Sequence, residues 1–389
     1  GGLLLVASAD VWIAQGAGPL PALALLLAAA RTAGREEGDA RRDALAGLLA
    51  GLAVVCRPDA ALGAGLLARL LLRERRRLPL AFGLAAAAVV LAGAFAAWGW
   101  FGTFVPNTLL AKRQFAALNP ALLTGPRVFW RSAWELFAPL SGRLAGVLVA
   151  LGLVGQLPLF ARGGRASRLL VLHSAGLAIA YTLLRVPFFV WYTLPTCVAL
   201  LYGAAFCGGA VVRWLAKSPI VWRRGTVAVV GLGLAAVAVS ALAATVAWWR
   251  GGEAGDWRFA AYRQAGEWIR EHSAPTDDVA FDEVGILAYT SERPVQDLVG
   301  LVSPRSLPYV AVGDFLGAFL AKPPTFVVFH TFSARGGTKP IVSRPWFPRA
   351  YELAVRFDRP DLGGSISVFR RNPGTPIPPP RPPHARGAQ

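Results

Sequence analysis

RDALAGLLAGLAVVCRPDAALGAGLLARLLLRERRR (residues 42–77) is an apolar stretch with arginine at both ends and Arg57-Pro58-Asp59 in its middle. The upstream end reaches back through RTAGREEGDARRD (residues 31–43). Short arginine-rich loops stay on the cytoplasmic side of a membrane, so the segment has to enter and return. One crossing takes about 20 residues. Residues 44–56 and 60–72 are each shorter than that, which predicts two half-length helices meeting at depth. Pro58 places the break, because proline disfavours helical geometry in the residue before it. Charge at membrane depth is expensive unless it is paired or lines a cavity. Arg57 and Asp59 therefore either cap the two helices as a mutual pair or form a site.

Composition sets the class. Hydrophobic residues make up 55% of the 389 and charged residues 16%, with a mean hydropathy of +0.48. A soluble domain of this length is far less apolar. The reading is a polytopic α-helical membrane protein with a C-terminal soluble α/β domain. The net charge of +18 is carried by arginines clustered between apolar runs. That pattern points to topology and to contact with membrane lipids, and no motif suggests a nucleic-acid partner. Cys56, Cys197 and Cys207 lie in apolar segments, which suits packing rather than a disulfide or metal. The chain opens inside an apolar stretch, GGLLLVASAD, and has no methionine, so it is expected to be the C-terminal part of a longer protein.

Outward from the hairpin, residues 18–30 form a span ending at the basic run from Arg31, and 78–100 form a clean outward span. Arg162, Arg165 and Arg168 mark the inner end of a returning span, 144–160, which leaves 101–143 outside. Residues 169–184 run out, RVPFFVWY (185–192) turns, and 193–212 run back to Arg213 and Lys217. A last span, 226–249, places 250–371 outside as an α/β domain, with a helix at 257–272, strands at 279–282, 294–298, 325–330, 351–357 and 365–370, and helices at 285–291 and 309–320. The proline-rich tail, 372–389, is expected to be disordered.

Outside loops are normally poor in lysine and arginine, yet 101–143 holds Lys112, Arg113, Arg127, Arg131 and Arg143 against one acid, Glu135. Such a surface suits a lipid-linked phosphate or the lipid headgroups themselves. Within it, Pro106 turns the chain where the helix leaves the bilayer. Asn107 then offers an amide for sugar hydroxyls or an N-cap, and Lys112 a cation for phosphate. Beside Arg185, Trp191 and Tyr192 suit either interfacial anchoring or stacking on a sugar or prenyl chain.

In order, LAGLAVVCRPDAAL, WFGTFVPNTLLAK, VPFFVWYTLP and a soluble domain with DEVGILAYTSERPVQDLVGLVSP resemble the integral-membrane glycosyltransferases of the GT-C fold. The chain is most similar to the bacterial group of terminal β-(1→2) arabinofuranosyltransferases and related flagellar motor control proteins. The resemblance implies transfer of a sugar from a polyprenyl-phosphate donor to a cell-envelope glycan, lipid or protein on the outer face of the bacterial plasma membrane. Arg57, Asp59, Asn107 and Lys112 stand at the positions of that family's patterns, with Arg113, Arg185, Trp191 and Tyr192 beside them as donor-binding residues. Two departures matter. WIAQGAG carries Gly18 where the family has an acid, and the family's catalytic acid belongs to a loop that would precede Gly1. The general base is therefore expected outside this sequence. No cofactor is implied, and the residues do not support a divalent metal. The same scaffold would also serve a non-catalytic membrane factor or, with less support, a lipid or solute transporter.

In the soluble domain, Asp282, Glu283 and Asp297 fall at strand ends. Acids there cap helices or bind arginines, here Arg293 or Arg305, more readily than they do catalysis. Covering the membrane cavity or holding a glycan acceptor fits the domain better.

Overall fold

The computed structural model describes residues 18–34, 39–102, 142–183, 190–217, 258–331, 338–359 and 364–379, with a few isolated positions besides. The chain divides into two compact units. The first is helical: α1 (Pro19–Thr32), α2 (Ala40–Cys56), α3 (Ala60–Arg75), α4 (Leu80–Phe101), α5 (Gly142–Arg162), α6 (Arg165–Leu183) and α7 (Leu194–Ala216), with a 3-10 turn (Val190–Thr193) before α7. Among the described residues, three stretches are long and apolar enough to cross a membrane: Leu80–Trp100, Arg165–Leu183 and Leu194–Val211. The first of these is left almost wholly exposed by the described residues. The expected span 226–249 and residues 112–141 of the expected loop 101–143 lie outside the described residues.

The break at Arg57-Pro58-Asp59 is present, but the helices flanking it are longer than half a crossing. Seventeen residues in α2 and 16 in α3 make rods of about 25 Å and 24 Å at 1.5 Å per residue, against a hydrocarbon core of about 30 Å. The extension comes from Ala40 to Asp43 and from Arg73 to Arg75, which continue the helices past the apolar residues. Asp39 caps α2 by accepting from the Arg42 amide at 3.2 Å.

Small residues let these helices approach closely. Ala46, Ala50 and Ala53 of α2 are fully buried against Leu26, Leu67 and Leu71. A Cβ on Gly152 of α5 would collide with the carbonyl of Leu200 in α7, and one on Gly155 with that of Gly203. The matching offsets show that α5 and α7 run parallel. Gln156 bridges them, donating to Gly152 O and Ala199 O at 2.8 Å each. Close backbone contact plus an interhelical amide is how helices associate where water supplies no hydrophobic drive.

The arginine-rich helix ends gather at one end of the bundle. Arg75 at the close of α3 pairs with Asp43 at the start of α2, both side chains 8% exposed. Arg165, opening α6, binds Glu74 at 2.6 Å and the Ala33 carbonyl at the end of α1 at 2.8 Å. Arg168 Nε donates to Phe160 O of α5 at 3.1 Å. These cations meet carbonyls left open at helix C-termini, where the macrodipole also favours them.

The second unit is a three-layer domain. After α8 (Arg258–His272), the elements are β1 (Val279–Phe281), α9 (Val284–Ser291), β2 (Val295–Asp297), α10 (Leu307–Val310), α11 (Phe315–Ala321), β3 (Phe326–His330), α12 (Lys339–Val342), α13 (Phe347–Ala350), β4 (Tyr351–Arg359) and β5 (Gly364–Arg371). The sheet order is β2-β1-β3-β5-β4. β2, β1 and β3 are parallel, while β5 pairs antiparallel with both β3 and β4. Side chains alternate across the sheet. Val279, Phe281, Phe326 and Val328 pack under α8 and α9, whereas Ala280 and Val327 pack with α11, α12 and α13. The five strands and the helices α8 and α9 fall within a few residues of where the sequence pattern placed them, whereas the single helix expected at 309–320 is divided into α10 and α11, and α12 and α13 were not expected. The tail differs from expectation: Ile377 packs against the second core, so order persists into the proline-rich segment because an apolar side chain is buried there.

Candidate functional site

At the end of the bundle opposite the arginine cluster, the chain leaves α2 with Arg57 in an extended conformation, φ −152° and ψ 118°. This is the geometry that a following proline imposes. Asp59 occupies the N-cap position of α3, yet its side chain makes no capping hydrogen bond. It turns to Arg57 instead. Arg57 Nε lies 3.0 Å and 3.1 Å from the two carboxylate oxygens, and a second guanidinium nitrogen lies 2.5 Å from Oδ2. The pair is the fork-to-carboxylate arrangement that arginine forms best.

Two tyrosines complete the cluster. Tyr181 of α6 donates its hydroxyl to Asp59 Oδ2 and lies 3.5 Å from the Arg57 guanidinium. Its ring stacks on Tyr192 from the 3-10 turn, centroids 4.5 Å apart at 16°. The Arg57 guanidinium sits 5.5 Å from the Tyr192 centroid, within range of a cation–π contact. His173, Leu177 and Tyr181 share one face of α6, since residues four apart align. With Arg57, Asp59 and Tyr192 they line a cavity of about 10 Å³, which is room for roughly one water. In this closed arrangement Arg57 is engaged by Asp59. An anion would have to displace the carboxylate or share the guanidinium with it.

Of the residues singled out in the sequence, Arg57, Asp59 and Tyr192 come together here. Asn107, Lys112, Arg113 and Arg185 lie outside the described residues, as does the side chain of Trp191. Tyr181 and His173 were missed. Only His173 carried a signal in the sequence, as an ionisable ring within an apolar stretch; the structure buries it, and Tyr181 lies two turns further along the same face.

The acids of the second unit form a separate group. Asp297 is fully buried and accepts from the amides of Val299 at 2.8 Å and Val302 at 2.9 Å, so it organises the turn after β2. The expectation that Arg293 would bind one of these acids is corrected: Arg293 donates to the Ser273 hydroxyl and to the Ser273 and Arg270 carbonyls, tying α8 to β2. Asp282 and Glu283 follow β1, and His330 ends β3, its Nε2 3.9 Å from a carboxylate oxygen of each. Tyr262 donates to Glu283 at 2.8 Å. Among the described residues, no group of three His, Cys, Asp or Glu is arranged to hold a metal.

Burial raises the Asp297 carboxyl above the ordinary aspartate range, outweighing the opposing amides of Val302 and Val299. An acid raised on folding contributes most below its unfolded pKa, and that contribution is lost as pH rises through the folded value. Hydrogen exchange at Val299 and Val302 is therefore expected to show more protection at the acid side of this window than above it. Asp297→Asn should flatten that dependence. A slope unchanged by the substitution would place its origin elsewhere.

A family model described as a domain of unknown function (DUF8728) matches residues 253–374, which contain the whole three-layer domain. No curated protein and no solved structure matches the chain.

Proposed function

We propose that this chain is the donor-binding part of a multi-pass membrane glycosyltransferase, which moves a sugar from a polyprenyl phosphate to a cell-envelope acceptor on the outer face of the plasma membrane. The observation that carries the reading is the Arg57-Asp59-Tyr181-Tyr192 cluster at the end of the bundle opposite the arginine-rich helix ends. By the positive-inside rule the arginine end faces the cytoplasm. The cluster then lies toward the outer leaflet, on the side where a lipid-linked donor would present its phosphate. Arg57 would stabilise negative charge on the departing phosphate, Tyr192 and Tyr181 would offer a stacked face to the sugar or prenyl chain, and the general base would come from elsewhere in the protein. Asp59 holds the guanidinium in position until the phosphate competes for it.

Arg57→Lys tests the reading, because an ammonium keeps the charge but loses the planar fork. The protein with all its membrane segments, in detergent, should bind a polyprenyl phosphate at least tenfold more weakly once Arg57 is lysine, with little change in melting. Tyr181→Phe should weaken binding less. Full lipid affinity in a folded Arg57→Lys protein would refute the donor site. It would instead favour the second reading, a non-catalytic membrane factor in which the closed Arg57–Asp59 pair is structural.

A further inference from the structure

A larger cavity lies at the other end of the helical unit, far from the Arg57 cluster along α3. It has a volume of about 300 Å³ and is lined by Leu70, Arg73 and Glu74 of α3, Phe160 and Ala161 of α5, and Arg168 of α6. That volume is at the lower limit of small-molecule sites. Its wall divides by chemistry: Leu70, Phe160 and Ala161 are apolar, and Arg73 and Arg168 are cationic. The one acid, Glu74, is neutralised by Arg165 through bonds of 2.6 Å and 2.9 Å, which leaves the lining with a net charge near that of its two arginines. Among the described residues Arg73 has no ion-pair partner. Arg168 gives Nε to Phe160 O, one of its five N–H donors.

A free anion would need only the two arginines. The apolar wall beside them matches a ligand that continues into hydrocarbon, and the neighbouring helix surfaces are apolar and open, with Leu72 39% and Leu157 79% exposed. We propose that this cavity is a binding site for the headgroup of an anionic phospholipid, with the phosphodiester between Arg73 and Arg168 and the first acyl carbons against Leu70 and Phe160. Basic pockets between helices at the cytoplasmic surface recognise lipid phosphates in this way. The inference requires the helical unit to sit in a bilayer; it does not depend on the glycosyltransferase reading.

The test uses the full chain in a non-ionic detergent, titrated with phosphatidylglycerol, phosphatidylcholine or glycerol phosphate and read by native mass spectrometry and thermal melting. Phosphatidylglycerol should be retained and should raise the melting temperature, phosphatidylcholine should not, and glycerol phosphate should bind at least tenfold more weakly than the lipid. Arg73→Gln with Arg168→Gln should reduce phosphatidylglycerol retention at least tenfold. Arg42→Gln, at the same end but outside the cavity, should leave it unchanged. Phe160→Ala should weaken the lipid while sparing glycerol phosphate. Equal losses from Arg42→Gln and from the double variant would mean diffuse charge and no site, and equal affinity for glycerol phosphate would mean a free-anion site; either overturns the proposal. An unchanged Arg57→Lys protein in this assay separates the result from the donor-site test.

Discussion

Asp43→Ala is expected to destabilise the helical unit by about 3–5 kcal/mol, the range for removing one partner of a buried ion pair. Asp43 holds Arg75 between the start of α2 and the end of α3, and it also accepts from the Gly34 amide at 3.3 Å. Arg75 in turn donates to the Gly34 carbonyl. Without the carboxylate, the guanidinium is left in a site where it was 8% exposed, with one carbonyl to satisfy it. Most of the penalty is the stranded charge, so a double variant, Asp43→Leu with Arg75→Met, should recover a large share of the stability. Thermal unfolding in detergent, followed by far-UV circular dichroism, distinguishes the two. A double variant as unstable as the single one would show that the attraction itself, and not the stranded guanidinium, carries the effect.

Phe326→Ala should have an effect of similar size in the other unit, about 3–5 kcal/mol for an aromatic side chain deleted from a packed core. Phe326 begins the central strand β3 and is fully buried in the cluster under α8 and α9. Trp268 meets it edge-on with centroids 6.5 Å apart, and Arg370 covers it at 5.9 Å. The cavity left behind is walled by strands on both sides, which limits relaxation. Tyr289→Ala is the control: that ring is 85% exposed, and such substitutions usually stay within about 0.5 kcal/mol. Proteolysis of the full chain within residues 258–371 reads both. Equal resistance in Phe326→Ala and wild type would mean the domain is held by contacts other than this core.

What the residues revealed in advance follows from how local the cause is. The break before Asp59 was legible because proline acts on its immediate neighbour, and Arg57 adopts the extended geometry that Pro58 demands. The strands of the C-terminal domain were legible from short β-branched and aromatic runs such as TFVVFH. Their order was not, because pairing β3 with both β1 and β5 depends on contacts distant in sequence. The length of α2 and α3 was underestimated since hydropathy marks where apolar residues end, while arginine and alanine continue a helix without difficulty. Tyr181 escaped notice for the same reason as the strand order: nothing near it in the chain announces that α6 will bring its hydroxyl to Asp59, 122 residues away.

The Arg57–Asp59 pair also has an electrical meaning. In a bilayer, a lone arginine carried to the far side of the hairpin would move one elementary charge through the membrane potential, worth about 2.3 kcal/mol per 100 mV. With Asp59 bound to it, the tip of the α2–α3 hairpin is a zwitterion of zero net charge. Insertion of that hairpin is then indifferent to voltage, and so is its resting state.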